Sequence, residues 1–167
     1  TGYNVANSCR FNPGDSPYLS RTQGTGNRRT WTFSTWVKRC SIGSTHVLIN
    51  AETSDEDRIG FHSSDVMRIY FNGAGSGILV TNRLFRDPSA WYNIVVAVDT
   101  TQGTASNRVK LYVNGVQETS FSTETYPDED YDTFFNLSNT LKVGQIDGYM
   151  AEVCWIDGLA LAPTSFG

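Results

Sequence analysis

The stretch that decides the fold is Thr30–Lys38, which reads TWTFSTWVK. Side chains of an extended chain point alternately to its two sides, so residues two apart share a face. One face of this stretch carries Trp31, Phe33, Thr35 and Val37. The other face carries Thr32, Ser34, Trp36 and Lys38. This period of two residues predicts a β-strand with one side against a core, and we assign Trp31 and Phe33 to that core.

The same alternation recurs along the chain. It predicts further strands at 67–71, 108–113 and 149–156, with shorter candidates at 46–51 and 58–61. Trp91–Val98, WYNIVVAV, differs because it is apolar on both faces. That pattern predicts a strand in the middle of a sheet that is covered on both sides. We also assign Trp91 and Trp155 to the core.

Turn-forming residues separate the strands. Asn114-Gly115 stands between KLYV and VQETSF, and Asn72-Gly73 follows another candidate strand. Asn-Gly supplies the positive φ angles of a type I′ hairpin, so a hairpin is predicted at 114–115. Roughly ten or more short strands with frequent turns predict an all-β fold, an antiparallel β-sandwich of two sheets. No linker interrupts the pattern, so residues 1–167 are predicted to form one domain.

The composition excludes several classes of protein. Apolar residues make up 39% and charged residues 18%, which does not fit a disordered chain. The net charge of −4 argues against a nucleic-acid-binding protein. The charge is also unevenly distributed: Asp15 is the only acid before Glu52, and the acids are densest at 124–132. This asymmetry predicts either a solvated surface or contacts that steer partners or subunits.

Cysteines and targeting signals give little positive information. Cys9, Cys40 and Cys154 lack the spacing of a zinc site or a disulfide framework. One pair with a free third is an alternative, and we expect three reduced, partly buried cysteines. There is no signal-peptide pattern and no apolar run of about 20 residues, so membrane insertion is not expected. The start at Thr1 predicts a fragment or a processed product.

Four segments carry a resemblance to a known family. They are RFNPGDSPYLSR (10–21), TWTFSTWVKR (30–39), WYNIVVAVDTT with VKLYVNGVQ (91–101 and 109–117), and KVGQIDGYMAEVCWIDGLAL (142–161). Together they resemble the laminin-G-like, concanavalin A-like jelly-roll family, in its pentraxin-related branch. The resemblance covers nearly the whole chain. It implies a jelly-roll β-sandwich and is specific for fold rather than for function.

A finer resemblance concerns the biological setting. The segments NRRTWTFSTWVKR, FRDPSAWYNIVVAVDTTQ and DGLALAPTSFG resemble laminin-G-like modules of marine bacteriophage structural proteins. This resemblance implies a virion-surface, extracellular location in a tail-fibre or capsid-associated polypeptide. The implied partners are a host-surface glycan or receptor and other virion subunits, with a homo-oligomer as a further option.

Glycoside hydrolases share the family's fold, so catalysis needs its own test. A retaining enzyme needs two carboxylates about 5–5.5 Å apart on one face. The nearest candidates are Glu52, Asp55 and Glu56, but Glu52 and Asp55 would point to opposite faces of a strand. His46 and His62 lie near no nucleophile motif. The sequence therefore predicts a binding protein rather than an enzyme.

The candidate binding site is the loop before the closing strands. Calcium requires six to eight oxygen ligands, which are available here from Asp128, Glu129, Asp130 and Asp132, with Asp147 further along the chain. A solvated acidic loop is the alternative to calcium. Sugar rings stack on aromatic side chains, and the predicted glycan-binding residues are Tyr126, Asp128, Asp130, Tyr131, Asp132, Phe134 and Asn136. Core packing is the alternative for each aromatic, and Trp36, Tyr70 and Tyr112 are candidates for an exposed sheet face.

Two functional hypotheses follow. The first is a lectin-like recognition module that binds host-surface glycan through the loop at 124–136. The second is a structural or capsid-decoration module without a soluble ligand.

Overall fold

The computed structural model describes residues 7–52, 56–71 and 76–166. Within these ranges the chain forms thirteen strands and three short 3-10 helices. The strands are β1 (Cys9–Phe11), β2 (Leu19–Thr22), β3 (Thr30–Arg39), β4 (His46–Glu52), β5 (Asp57–Phe61), β6 (Val66–Phe71), β7 (Gly77–Leu84), β8 (Tyr92–Asp99), β9 (Val109–Val113), β10 (Val116–Gln117), β11 (Phe121–Thr125), β12 (Thr140–Gln145) and β13 (Gly148–Asp157). The 3-10 helices are Pro13–Asp15, Ala105–Asn107 and Pro163–Ser165. None of the helices in the described ranges has the length and apolar character to cross a membrane.

The strands form two antiparallel sheets. The order in the six-stranded sheet is β1-β13-β3-β8-β9-β10, and in the seven-stranded sheet it is β11-β7-β6-β5-β4-β12-β2. Inward-facing side chains from both sheets form one hydrophobic cluster. The antiparallel β-sandwich predicted from the alternation is therefore confirmed.

The deciding stretch occupies the centre of the six-stranded sheet. Trp31 and Phe33 are fully buried, and Trp31 stacks on Trp155 with ring centroids 4.7 Å apart. Trp155 is half-buried and packs against the core, as predicted. The core prediction for Trp91 is wrong. Trp91 precedes β8 and lies 6.4 Å from the ring of Tyr149, outside the core cluster, because the buried strand begins one residue later.

Strand β8 is covered on both faces, as its sequence predicts. Ile94 and Val96 belong to the core cluster, whereas Val95 and Ala97 face the other way and are still buried. The C-terminal segment runs along that outer face. It is fastened at Thr32, whose Oγ1 donates to Leu159 O (2.6 Å) and accepts from the backbone N–H of Leu161 (2.8 Å).

The hairpin predicted at Asn114-Gly115 is present, with φ angles of 51° and 80° joining β9 to β10. The segment that follows departs from the prediction. Only Val116–Gln117 pairs with β9, and Phe121–Thr125 crosses over to pair with β7 of the other sheet. VQETSF is therefore two strands in two sheets rather than one. The predicted turn at Asn72-Gly73 lies outside the described residues.

Candidate functional site

Three acids of the predicted acidic loop are paired with arginines from elsewhere in the chain. Arg29 forms ion pairs with Asp130 (3.0 Å) and Asp132 (2.8 Å), and Arg108 lies 3.5 Å from Glu129. The hydrogen bond from Arg29 holds the pKa of Asp132 below its usual value, against the opposing effect of burial. Glu129, Asp130 and Asp132 thus already have cationic partners within the protein.

The predicted calcium ligands do not all lie together in the structure. Asp147 directly precedes Gly148, the first residue of β13, and Gly148 pairs with Arg39 at the end of β3. Asp132 instead contacts Arg29, just before the start of β3. Since β3 has ten residues, Asp147 and Asp132 lie at opposite ends of the sheet, about 30 Å apart along the strand. Among the described residues, no group of three or more His, Cys, Asp or Glu side chains could hold a metal ion.

The predicted glycan-binding residues mostly make contacts within the protein. Tyr131 and Phe134 pack against the core cluster. Tyr126 does so as well, and its hydroxyl donates to Glu124 Oε1 at 2.8 Å. Burial, followed by that hydrogen bond, raises the pKa of Tyr126 to about 12. Burial, followed by the charge of Asp57, raises the pKa of Tyr131 to about 12.

Asn136 is the most completely engaged of the predicted residues. It is buried, its amide donates to Asn27 O (2.7 Å) and to Asp157 Oδ1 (2.9 Å), and its carbonyl accepts from Trp155 Nε1 (3.0 Å). Its side chain therefore joins the loop to β13 and to the segment before β3. The exposed part of the predicted site is limited to Asp128, Asp130 and Asp132 with their neighbours.

A well-defined concave surface lies at the other end of the sandwich, among the described residues. We call it the rim groove. It encloses about 410 Å³ between the segment before β2, the β3–β4 connection and the β12–β13 turn. Its lining residues are Pro13, Ser16, Pro17, Tyr18, Ser41, Ser44, Thr45, His46, Gln145, Ile146 and Asp147.

A polar relay crosses the floor of the rim groove. Ser41 Oγ lies 3.2 Å from His46 Nε2 and hydrogen-bonds Asp147, whose Oδ1 accepts from Arg10 Nη2 at 2.8 Å. Burial opposes ionisation of Asp147, but Ser41 and Arg10 together hold its pKa below the usual value. Burial, followed by the charge of Arg39, lowers the pKa of His46. At neutral pH the groove therefore holds a neutral imidazole and an ionised, oriented carboxylate.

An exposed aromatic ring stands beside this relay. Tyr18 is 46% exposed, and Lys142 Nζ lies 4.7 Å from the centroid of its ring. Lys142 is itself held by Glu52 at 2.6 Å. The cation–π contact fixes one side of the ring and leaves an aromatic surface next to the hydroxyls and amide of the groove.

Ser41, His46 and Asp147 do not form a hydrolytic triad. In a triad the carboxylate orients the histidine and the histidine activates the serine. Here the carboxylate contacts the serine instead, and the buried Nδ1 of His46 has no hydrogen-bond partner among the described residues. The lining of the groove contains one carboxylate, Asp147, whereas glycosidases of the retaining and inverting types use two.

Sequence reasoning missed this groove because its walls come from three separate segments. In the sequence, Tyr18 stands within a segment that indicates the fold, and His46 stands near no nucleophile motif. The available signal was the run of hydroxyl residues between β3 and β4, SIGST, which follows a strand end. Such a run is common in loops, so it does not by itself indicate a site.

Comparison with known proteins gives a consistent result for the fold. A family model described as "Concanavalin A-like lectin/glucanases superfamily" matches residues 13–162. The structure is similar to a heptameric SAP-like pentraxin from Limulus polyphemus, with 14% identity, a TM-score of 0.58, and 83% of this chain and 69% of that chain covered. Domain 4 of AbnA, a GH43 extracellular arabinanase from Geobacillus stearothermophilus solved with arabinotriose, gives 16% identity, a TM-score of 0.55, and coverage of 84% and 65%.

The mouse laminin α1 chain, domains LG4-5, is a third similar structure. It shows 13% identity, a TM-score of 0.54, and coverage of 83% of this chain and 38% of that chain. This chain therefore spans less than two thirds of the arabinanase domain and of the laminin fragment. No curated protein matches the sequence.

Proposed function

The chain belongs to the concanavalin A-like lectin/glucanase superfamily, and from this membership we propose that it is a non-catalytic carbohydrate-binding module whose ligand occupies the rim groove. One observation carries the proposal. The rim groove places an exposed tyrosine ring beside hydroxyl, amide and carboxylate groups. This combination of an apolar surface with a few convergent polar groups is typical of small-ligand sites.

The chemistry of the groove fits a sugar ring. The apolar face of a pyranose stacks on Tyr18, and sugar hydroxyls donate to Asp147, which is held in place by Ser41 and Arg10. Ser44 and Gln145 provide further donors and acceptors at the rim. Charge-assisted hydrogen bonds to an oriented carboxylate are stronger than those between neutral groups. Asp147 is therefore expected to contribute most to specificity.

The similar structures support the class of ligand. AbnA domain 4 was solved with arabinotriose, and it shares the fold of this chain. A carbohydrate ligand is our inference from that likeness together with the groove. The loop at 124–136 remains the alternative location, since its exposed acids are accessible to a ligand.

A glycan array tests both the ligand class and the location. We expect wild-type protein to bind one or more saccharides, with no effect of a calcium chelator. Tyr18→Ala should abolish binding, whereas Tyr126→Ala should retain it. The two variants remove the same side chain, so each is the control for the other. Loss of binding only in Tyr126→Ala or Asp130→Ala would place the ligand at the loop. Absence of binding to every saccharide, or hydrolysis of one, would contradict the proposal.

We further propose that the module belongs to a larger virion-surface polypeptide, a tail fibre or capsid-associated protein. The support is the resemblance of the segments around 27–39, 85–102 and 157–167 to phage structural modules. The recognised glycan would then lie on the host surface. Antibodies against the module should label intact virions of the source phage, and labelling of host cells alone would contradict this setting.

An assembly role is the second candidate, and the sheet edges favour it. Leu19 on the edge strand β2 is 59% exposed, and Val116 on the edge strand β10 is 63% exposed. An edge strand with an exposed apolar residue is a template for pairing with another chain. Light scattering should then show an oligomer that Leu19→Lys or Val116→Lys dissociates. A monomer at all concentrations would exclude this role for the isolated module.

A further inference from the structure

The outer face of the seven-stranded sheet carries a continuous row of side chains. Strand pairing places one residue from each of six neighbouring strands side by side. Adjacent strands are about 4.8 Å apart, so the row is about 24 Å long. In order, these residues are Ile78, Tyr70, Arg58, Asn50, Lys142 and Ser20. Tyr70 and Arg58 alternate with core residues such as Ile69 and Ile59, so their side chains point outward.

Two arginines are held against the aromatic ring at the centre of this face. Arg58 Cζ lies 5.1 Å and Arg68 Cζ 5.2 Å from the centroid of the Tyr70 ring. Arg68 is two residues before Tyr70 on β6. Arg58, on the adjacent strand β5, lies directly opposite Tyr70. The cation–π contacts restrict both guanidinium groups before a ligand arrives, which reduces the entropy lost on binding.

Positive charge exceeds negative charge along the row. Arg58 is paired with Glu56 at 2.9 Å, and Lys142 is paired with Glu52 at 2.6 Å. Arg68 makes no ion pair with an acid in the part of the chain that the structure describes. Among the described residues, these groups are three cations and two anions, on a chain whose net charge is −4. A guanidinium can bind a carboxylate or a sulfate through two parallel hydrogen bonds, so Arg68 offers an unused site for an anion.

The row leads into the rim groove. Lys142 Nζ contacts the ring of Tyr18, and Tyr18 and Gln145 line the groove. Lys142 and Gln145 both belong to β12, three residues apart. Asn50, between Arg58 and Lys142, is buried and donates to Glu56 at 3.2 Å, while its Oδ1 has no hydrogen-bond partner among the described residues.

We infer that the row, through Tyr70, Arg58 and Lys142 and together with the adjacent Arg68, binds an anionic polysaccharide whose end occupies the rim groove. This inference rests on the proposed function of the groove and adds the class of chain that it accepts. The saccharide bears sulfate or carboxylate groups, and it extends from Tyr18 across the seven-stranded sheet. Arg68 receives one anionic group beside the Tyr70 ring, which holds its guanidinium.

Titration with three polysaccharides of matched length tests the row. Dextran sulfate and polygalacturonate distinguish sulfate from carboxylate, and unmodified dextran is neutral. At least one anionic chain should bind more tightly than dextran, and its affinity should fall as salt is added. Arg68→Gln should weaken binding about tenfold, the effect of one charge-assisted hydrogen bond. Lys110→Gln, a half-buried outward-facing position on the other sheet, removes the same charge and should have no effect.

The outcomes separate this inference from the proposed function. Equal losses in Arg68→Gln and Lys110→Gln, or binding of neither anionic chain, would overturn the row. Equally tight, Arg68-dependent binding of single-stranded DNA would also overturn it, because the face would then recognise polyanions in general. Saccharide binding that needs Tyr18 but not Arg68 would support the groove as the binding site and contradict a role for the row. Binding that needs Arg68 but not Tyr18 would instead contradict the groove.

Discussion

Arg39 Nη2 donates to Asp65 Oδ1 over 2.9 Å inside the sandwich, where the two side chains are 1% and 6% exposed. The same oxygen accepts from the backbone N–H of Gly43 at 2.7 Å. Arg86 binds the second carboxylate oxygen at 3.1 Å. Asp65 thus fastens the β3–β4 connection, which forms one wall of the rim groove, to the six-stranded sheet and to the segment after β7.

Removing the charge of Asp65 should be strongly destabilising. Asp65→Asn leaves Arg39 buried without a counter-charge, and breaking a buried pair in this way costs about 3–5 kcal/mol of unfolding free energy. Asp130→Asn breaks an exposed pair and should cost less than about 1 kcal/mol. Urea denaturation of the two variants measures the difference. Equal, small losses would mean that the buried pair does not hold the connection.

Acidification should destabilise the protein through His46 before it does so through carboxylates. Burial and Arg39 lower the pKa of His46 in the folded state. The unfolded chain therefore binds a proton at a higher pH than the folded chain does. The contribution of His46 to the free energy of unfolding is fully present above about pH 6.5. It is lost as the pH is lowered toward the pKa of His46 in the folded state. Replacing His46 with Gln should flatten the pH dependence of Tm between about pH 5 and pH 6.5. An unchanged slope in the variant would contradict this assignment.

Alanine substitutions at two glycines with positive φ distinguish a steric clash of the new Cβ from the cost of the left-handed backbone. Gly144 has φ of 88°, and a Cβ there would lie 2.2 Å from the ring of Phe11. Gly115 has φ of 80°, and a Cβ there would meet nothing within 4 Å. Gly115→Ala should cost about 1–2 kcal/mol, the usual penalty of a left-handed residue. Gly144→Ala should cost clearly more, since Phe11 and β1 must move. Similar unfolding free energies would contradict the packing of Phe11.

Asn136 should behave as a structural residue rather than as a ligand-binding one. Asn136→Ala removes hydrogen bonds to Asn27, Asp157 and Trp155 and leaves the half-buried indole N–H of Trp155 without this acceptor. We expect a loss of roughly 2–4 kcal/mol in unfolding free energy and an unchanged saccharide affinity of the folded fraction. A variant that is stable but has lost saccharide affinity would indicate that the ligand binds at the loop 124–136.

The sequence predicts the fold well because its signals are local. The alternation in TWTFSTWVK and the Asn114-Gly115 turn each depend on a few consecutive residues, and the structure confirms both. The predicted alternation at 149–156 is interrupted because Glu152 adopts φ of 50° and the pairing with β3 shifts there. A bulge of this kind leaves no reliable trace in a hydrophobic pattern.

The site could not be predicted in the same way because it depends on residues far apart in the chain. The acids at 128–132 resemble a metal loop until Arg29 and Arg108 are placed opposite them. Part of the charge asymmetry in the sequence is therefore explained by ion pairs within the chain, between an N-terminal arginine, Arg29, and the later acids Asp130 and Asp132. The rim groove likewise exists only when Tyr18, Ser41 and Asp147 meet.

The central claim is that the rim groove of this sandwich holds a saccharide, and amide chemical-shift mapping tests it most directly. Titration of the labelled protein with the strongest saccharide from the array should perturb the amides of residues 14–18, 41–46 and 145–147. Amides of residues 126–136 should remain unchanged. Perturbations confined to 126–136, or none at saturating saccharide, would contradict the account.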